Sequence, residues 1–202
     1  MLTTLAALMM AAMLGRPSSA SVDAVHSPSM VIVLDVTNEA HILARDLELA
    51  RRWITKAYRT AGVRIEWNDG FTCSAQPDNA LHVDVRLISR DPRKESTKSA
   101  GVEKLGKALR PIRRTYVFYE PLQEYSMRTG VNTAQLLGAV ITHEVGHLLF
   151  PASTHLRSGI MSSPWYGGLM PPPTFTSDEG RMLRAALECA TAPQRVSVLC
   201  QY

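Results

Sequence analysis

Two histidines spaced four residues apart, His143 and His147, are the side chains of this sequence best suited to bind a metal ion together. They lie in an apolar stretch that runs from a cap at Asn132 or Thr133 to about Leu149, which predicts a helix. Four helical residues turn through about 400°, so both imidazoles leave the same face about 6 Å apart. Both rings can then reach one tetrahedral Zn²⁺ at about 2.0–2.1 Å, so the spacing predicts two ligands of a zinc site.

Glu144 follows the first histidine and completes the pattern His-Glu-x-x-His. Its carboxylate would lie beside the metal, where it can take a proton from zinc-activated water and pass it to the departing amine. The pattern fixes only three residues and also occurs by chance, in which case both histidines would be solvated side chains on an amphipathic helix. Gly146 costs a helix interior about 1 kcal/mol relative to alanine, so we expect a packing reason for it.

A catalytic zinc needs a third protein ligand and an open position, and His155 is the nearest remaining histidine. Phe150-Pro151 predicts the end of the helix, because proline disfavours helical geometry in the preceding residue and donates no hydrogen bond. The chain must then turn, and a short loop can return His155 to the metal. The alternatives are Tyr166, Asp178 and Glu179, although the two acids would also be favourable in the first turn of a capped helix.

The segment after this histidine is Ser158-Gly159-Ile160-Met161, and with it the whole unit resembles the metzincin clan of zinc endopeptidases. In that clan a His-Glu-x-x-His helix is followed by a third histidine and by a tight turn whose methionine lies beneath the metal. The resemblance implies that His143, His147 and His155 are the metal ligands. It further implies that Glu144 is the general base and that Met161 is the structural methionine of the turn.

The spacing differs from the clan's pattern in the return loop. Metzincins have a glycine three residues after the second histidine and the third histidine six residues after it, positions that Phe150 and Ser153 occupy here. His155 comes eight residues after the second histidine, which implies a divergent branch. The clan further implies that a peptide lies extended along an edge strand near residues 105–109. In that arrangement Trp165 and Tyr166 would either line a specificity pocket or be simple packing aromatics.

The surrounding pattern predicts an α/β (α+β), metzincin-like fold with a small mixed twisted sheet and three main helices. Buried or alternating stretches predict strands at 31–36, 63–67, 83–87 and 115–119, with a short one near 105–109. One helix should follow a cap at Thr37-Asn38 and end at Gly62. The active-site helix comes next, and a C-terminal helix opens with a capping box of Thr176 and Glu179.

The N-terminal residues predict export. An apolar run at residues 2–14 precedes Ser18-Ser19-Ala20, which is typical of a secretory signal peptide cut after Ala20, whereas an anchor helix of this length would be short for a membrane span. We therefore expect a signal peptide at residues 1–20, one catalytic domain at residues 21–202, and a secreted or periplasmic protein. Export permits one disulfide among Cys73, Cys189 and Cys200, and Cys189 with Cys200 is the first choice of three pairings.

Composition excludes other classes of protein. The chain has 202 residues, 46% hydrophobic, with a net charge of +4, and the basic stretch from Arg86 to Arg114 is interleaved with acids, so no nucleic-acid-binding motif is expected. No apolar stretch suggests stable membrane insertion after signal cleavage. The sequence predicts a monomeric, secreted zinc-dependent endopeptidase that uses Zn²⁺ to hydrolyse a peptide or protein substrate. The alternatives are an exported zinc-binding but inactive binding module, against which Glu144 argues, and an unrelated exported interaction protein with an accidental motif.

Overall fold

The computed structural model describes residues 30–68, 80–92, 104–150, 155–162 and 172–191. The N-terminal segment with the expected signal peptide, Cys73, the aromatic pair Trp165 and Tyr166, and Cys200 lie outside these described residues. Five strands and four α-helices occur within them: β1 Val31–Asn38, α1 Ala44–Thr60, β2 Arg64–Asn68, β3 Leu81–Ile88, β4 Gly106–Leu109, β5 Arg114–Phe118, α2 Tyr119–Thr129, α3 Thr133–Leu149 and α4 Ser177–Thr191.

The strands form one mixed sheet in the order β2-β1-β3-β5-β4. The first four are mutually parallel, and β4 pairs antiparallel with β5 at the edge. Parallel neighbours need a crossover connection, which α1 supplies between β1 and β2. In β3, Leu81, Val83, Val85 and Leu87 are buried while the residues between them are partly or largely exposed. This alternation places one face of β3 against the helices and leaves its other face more open.

The active-site helix α3 is buried over most of its length, from Ala134 to Gly146 apart from Gln135. It packs against α1 so closely that a Cβ at Gly138 would lie 3.1 Å from the carbonyl oxygen of Ala50. Tyr58 of α1 is fully buried, and its hydroxyl donates to the carbonyl of Thr142 at 3.5 Å. Burial raises the pKa of the Tyr58 hydroxyl, which keeps this donor protonated. These contacts hold α3 firmly against the rest of the domain.

The predicted mixed sheet is confirmed, and the strand near residues 105–109 is its edge. The described part of the structure has one α-helix more than the three main helices that the sequence predicts, since α2 is an additional helix of 11 residues. It starts directly after β5 with no side-chain cap, and buries only Pro121, Leu122 and Ser126, so its helical periodicity is weak. Tyr119, expected at the end of a strand, is its first residue.

The helix cap expected at Thr37-Asn38 is wrong. Strand β1 continues to Asn38, and α1 begins at Ala44 after a Leu43 that makes no side-chain cap hydrogen bond. The Asn38 amide instead braces the intervening loop, donating to the carbonyl of Ile42 at 2.9 Å and accepting from its N–H at 3.0 Å. None of the helices among the described residues is long and apolar enough to cross a membrane.

Candidate metal centre

Helix α3 has the caps that its sequence predicts. The side chain of Asn132 accepts from the N–H of Gln135 at 3.0 Å, so Asn132 is the N-cap. At the other end, Phe150 donates its N–H to the carbonyl of Gly146 at 2.8 Å and has extended geometry, with φ −75° and ψ 156°. That geometry is what the following proline requires, and it ends the helix two residues after its second histidine.

Three histidine side chains converge at this end of α3. The potential ligand atoms of His143, His147 and His155 all lie within 4.8 Å of one another. The Nε2 atoms of His143 and His147 are 3.0 Å apart. A tetrahedral zinc with bonds of about 2.0–2.1 Å separates its ligand atoms by roughly 3.4 Å, so these two nitrogens would need to move apart by only a few tenths of an ångström. The three histidines are therefore able to hold a metal ion.

The ring of His143 is oriented by the turn that follows the third histidine. Its Nδ1 lies 2.7 Å from the carbonyl oxygen of Ile160, and a carbonyl can only accept, so Nδ1 carries the proton. Nε2 then presents a lone pair toward His147. Such a hydrogen bond fixes the tautomer and the ring plane of a metal-binding imidazole.

Electrostatics favours neutral imidazoles, which are the form that binds metals. Burial is the main cause that lowers the pKa of His143. The pKa of His147 is lowered to about 4, chiefly by burial and then by the nearby charges of His143, His155 and Arg110. Both rings are thus unprotonated near neutral pH, as metal ligation requires.

Glu144 lies beside the histidines and is only 8% exposed. Strand β4 approaches it closely, since a Cβ at Gly106 would lie 2.6 Å from its Cγ and 2.8 Å from its Oε1. Burial raises the pKa of Glu144 to about 8, and the positive charge of Lys104 opposes this rise. A divalent cation beside the carboxyl would lower its pKa again. The group can therefore gain and lose a proton near neutral pH.

The turn with Met161 lies under α3. Met161 is fully buried, and a Cβ at Gly146 would overlap its Sδ. The packing reason expected for Gly146 is therefore the passage of this side chain beneath the helix. The turn itself contains Gly159 at φ +84°, a left-handed conformation that favours glycine. The N–H of Leu156 donates to the carbonyl of Met161 at 2.9 Å, which places the residue after His155 next to the turn.

Glu179 of α4 holds this turn and is no metal ligand here. Its Oε1 accepts from the N–H of Met161 at 2.8 Å, and its Oε2 accepts from the N–H of Thr176 at 2.6 Å. The Glu179 N–H donates to the hydroxyl of Thr176 at 3.2 Å, so the predicted capping box is confirmed. Asp178, the other acidic alternative, is exposed and pairs with Arg181 at 2.7 Å. Among the described residues, His155 alone of the proposed third ligands joins the two helix histidines.

Sequence reasoning missed three contributors to this site: Gly106, the carbonyl of Ile160 and the anchoring role of Glu179. The capping box predicted Glu179 as a residue at the start of a helix. Its hydrogen bond from the N–H of Met161, however, forms only when α4 folds against the turn. The single described cysteine, Cys189, is disulfide-bonded, which agrees with the expectation of one disulfide. The choice of Cys200 as its partner stays a prediction.

The fold is similar to that of archaemetzincins. The structure superposes on the archaemetzincin of Methanopyrus kandleri with a TM-score of 0.50 and 13% identity, covering 81% of this chain and 98% of that one. For a zinc-dependent peptidase of Methanocorpusculum labreanum the TM-score is 0.46 and the identity is 11%, with 77% of this chain and 99% of that one covered. For the malonate-bound archaemetzincin of Archaeoglobus fulgidus the TM-score is 0.42 and the identity is 14%, with 76% of this chain and 99% of that one covered. No protein-family model and no curated protein matches the sequence. At 13% identity, the likeness to the Methanopyrus kandleri protein defines the fold class alone, which is archaemetzincin-like.

Proposed function

We propose that this protein is an exported zinc-dependent endopeptidase in which three histidines bind Zn²⁺ and Glu144 is the general base. The observation that carries the proposal is the convergence of His143, His147 and His155 beside a buried glutamate that adjoins an edge strand. The archaemetzincin-like fold agrees with it. Met161 is the structural methionine beneath the ligands.

The donor set suits zinc in a catalytic role. Imidazole nitrogens are ligands that Zn²⁺ accepts readily, and three protein ligands leave a fourth position open, whereas structural zinc sites use four. When bound, zinc would lower the pKa of a coordinated water and polarise a substrate carbonyl. The Ile160 carbonyl would keep the His143 ring in the ligating tautomer.

Glu144 would supply the proton transfer. Its carboxylate would take a proton as a water attacks the peptide carbonyl and would release it to the departing amine. The contact with Gly106 holds the side chain at the edge of the sheet. Among the described strands β4 pairs only with β5, so its other edge can take an extended peptide by backbone hydrogen bonding. A peptide in that position would pass beside Glu144.

The export proposal has separate support. The apolar run at residues 2–14 followed by Ser18-Ser19-Ala20 is typical of a signal peptide, and a disulfide at Cys189 suits an oxidising compartment. N-terminal sequencing of the protein recovered from culture medium or periplasm tests it. Mature protein beginning at Ser21 is the expected result, and an intact N-terminus in the cytoplasmic fraction would contradict export.

Metal analysis and one substitution test the activity. We expect about one zinc per purified mature chain and hydrolysis of a general protein substrate. Glu144→Gln should retain zinc and lose about 10²–10⁴-fold in kcat, the usual contribution of a general base. Glu188→Gln, an exposed change on α4, is the matched control.

The outcomes separate the alternatives. A chain without stoichiometric zinc would show that the histidine motif is accidental. Equal rates for Glu144→Gln and the control would remove Glu144 from the mechanism. Zinc binding without turnover of any peptide would favour an inactive binding module.

A further inference from the structure

Four basic residues recur at every third position from just before β4 to the turn that follows it: Lys104, Lys107, Arg110 and Arg113, here called the basic edge. Lys107 is partly exposed, and the other three are exposed. No salt bridge joins any of the four to an acidic residue within the described parts of the chain. No acid among the described residues therefore neutralises these charges in an ion pair.

The arginines of the neighbouring strands behave differently. Arg114 pairs with Asp84 at 2.7 Å, and Arg86 pairs with Asp84 at 2.8 Å and with Glu39 at 3.3 Å. Cations in the middle of the sheet are thus matched by acids of the same chain. The basic edge, by contrast, forms no ion pair with a described acid, and it follows the strand proposed to receive the peptide.

Two members of the basic edge adjoin the metal centre. Lys104 is close enough to Glu144 for its charge to act on that carboxyl, and Gly106, two residues further along, contacts the Glu144 side chain. At the other end, Nε of Arg110 donates to the carbonyl of His147 at 2.8 Å. The two cations therefore lie on either side of the stretch of α3 that carries the general base and the second histidine.

We propose that the basic edge selects peptide substrates with Asp or Glu within about four residues of the scissile bond, on either side. This inference rests on the proposed peptidase function. Residues of an extended peptide advance by about 3.3 Å each, so side chains two to four positions from the scissile bond would reach Lys104 on one side and Arg110 on the other. A metal dication at the centre would add to the attraction.

The expected size of the selection follows from ordinary surface ion pairs. An exposed pair contributes up to about 1 kcal/mol, which is roughly fivefold in kcat/KM, and salt screens it over about 8 Å at physiological ionic strength. A different role for edge cations is to discourage strand-to-strand aggregation. A role in preventing aggregation would not depend on the charge of a substrate, so the dependence of the rate on substrate charge distinguishes the two roles.

Three peptides with the same neutral cleavable centre and flanks of Glu, Gln or Lys provide the test on zinc-loaded mature protein. At low salt we expect the Glu-flanked peptide to exceed the Gln-flanked one by about three- to tenfold in kcat/KM and the Lys-flanked one by more, with the differences shrinking in 0.3 M salt. The ratio of the kcat/KM values for two substrates does not depend on what fraction of the enzyme in a preparation is active. In Lys104→Gln and in Arg110→Gln the Glu/Gln ratio should fall, whereas in Lys56→Gln, an exposed change on α1, it should not.

The results that overturn the inference are distinct from those that overturn the peptidase. Equal kcat/KM for Glu- and Gln-flanked peptides, with both hydrolysed, would reject acidic selectivity and leave the peptidase intact. A Glu preference that Lys104→Gln and Arg110→Gln leave unchanged would remove the basic edge as its cause. Hydrolysis of none of the three by zinc-loaded protein would reject both proposals together.

Discussion

Replacing Glu179 by glutamine tests how the turn beneath the metal centre is held. The two carboxylate oxygens of Glu179 accept from two different backbone N–H groups, those of Met161 and Thr176. Glutamine has nearly the same shape but only one acceptor oxygen, so its NH₂ group must face the other N–H. One of the two backbone N–H groups then loses its acceptor, beside the Glu179 side chain that is 0% exposed. The change leaves no cavity, so the effect reports the hydrogen bonds alone.

The magnitude follows from the two contacts. A hydrogen bond to a charged group contributes about 1.5–3 kcal/mol, and an unsatisfied buried donor costs about 1–3 kcal/mol. These describe overlapping parts of one loss, so we expect Glu179→Gln to lower the free energy of unfolding by about 2–3 kcal/mol. For a domain of this size each 1 kcal/mol shifts the Tm by about 2–4 °C, so the expected fall is about 4–12 °C.

Urea unfolding of the metal-free protein and chelator competition for zinc measure the two consequences. The zinc Kd should rise by about 10- to 100-fold, because the same turn presents the Ile160 carbonyl to His143. Glu188→Gln lies on the exposed side of the same helix and should stay within about 0.5 kcal/mol of wild type. If Glu179→Gln unfolded like this control and bound zinc equally well, the anchoring role of the carboxylate would be refuted.

Other substitutions probe the remaining contacts. Gly106→Ala places a Cβ 2.6 Å from Cγ of Glu144, so that side chain must move by about 1 Å; kcat should fall about 10²-fold while metal analysis still finds zinc, and an unchanged kcat would contradict the close approach. His155→Ala removes a proposed ligand and should weaken zinc binding in chelator competition by more than Glu179→Gln does; an unaltered Kd would exclude His155. Gly159→Ala combines a φ of +84° with overlap onto the Glu179 carboxylate, so urea unfolding should show a larger loss than Glu179→Gln, and a smaller loss would argue against the strain.

Most of the sheet and three of the helices could be predicted because their periodicity is local. Strand β3 alternates buried and exposed residues, and α3 has a side-chain cap at one end and a proline after the other. Helix α2 offers neither signal, since it begins at Tyr119 without a cap and buries little. The Asn38 error has another cause. An asparagine before an apolar stretch can cap a helix or brace a loop, and only the folded chain shows that Ile42 takes its hydrogen bonds.

The site divides in the same way. His143, Glu144 and His147 could be inferred from helical geometry, because their relative positions depend on five consecutive residues. Contacts between distant segments had no such signal. Gly106 meets Glu144 across 38 positions of the sequence, and Glu179 reaches Met161 across 18. Such contacts depend on how β4 and α4 pack against α3, which no spacing rule specifies.

The long return to His155 is compatible with a metal centre because the turn that follows holds the residue next to that histidine. Leu156 donates to the carbonyl of Met161 at 2.9 Å and also forms a bridge with Ser162, and Met161 is tied to Glu179. The contacts of the described residues therefore hold the ligand from its C-terminal side, and we expect the spacing from His147 to His155 to tolerate change better than the spacing from His155 to Met161.

Two single-glycine insertions test this asymmetry by chelator competition. Lengthening a loop costs little, about 0.6 kcal/mol even for a doubling, so a glycine inserted after position 152 should change the zinc Kd by no more than about twofold. A glycine inserted after position 158 breaks the pairing of Leu156 with Met161 and displaces the Ile160 carbonyl from His143. Its zinc Kd should rise by at least about 10-fold, as loss of such a partner does. Equal losses for the two insertions would mean that the helix side of the loop also fixes His155.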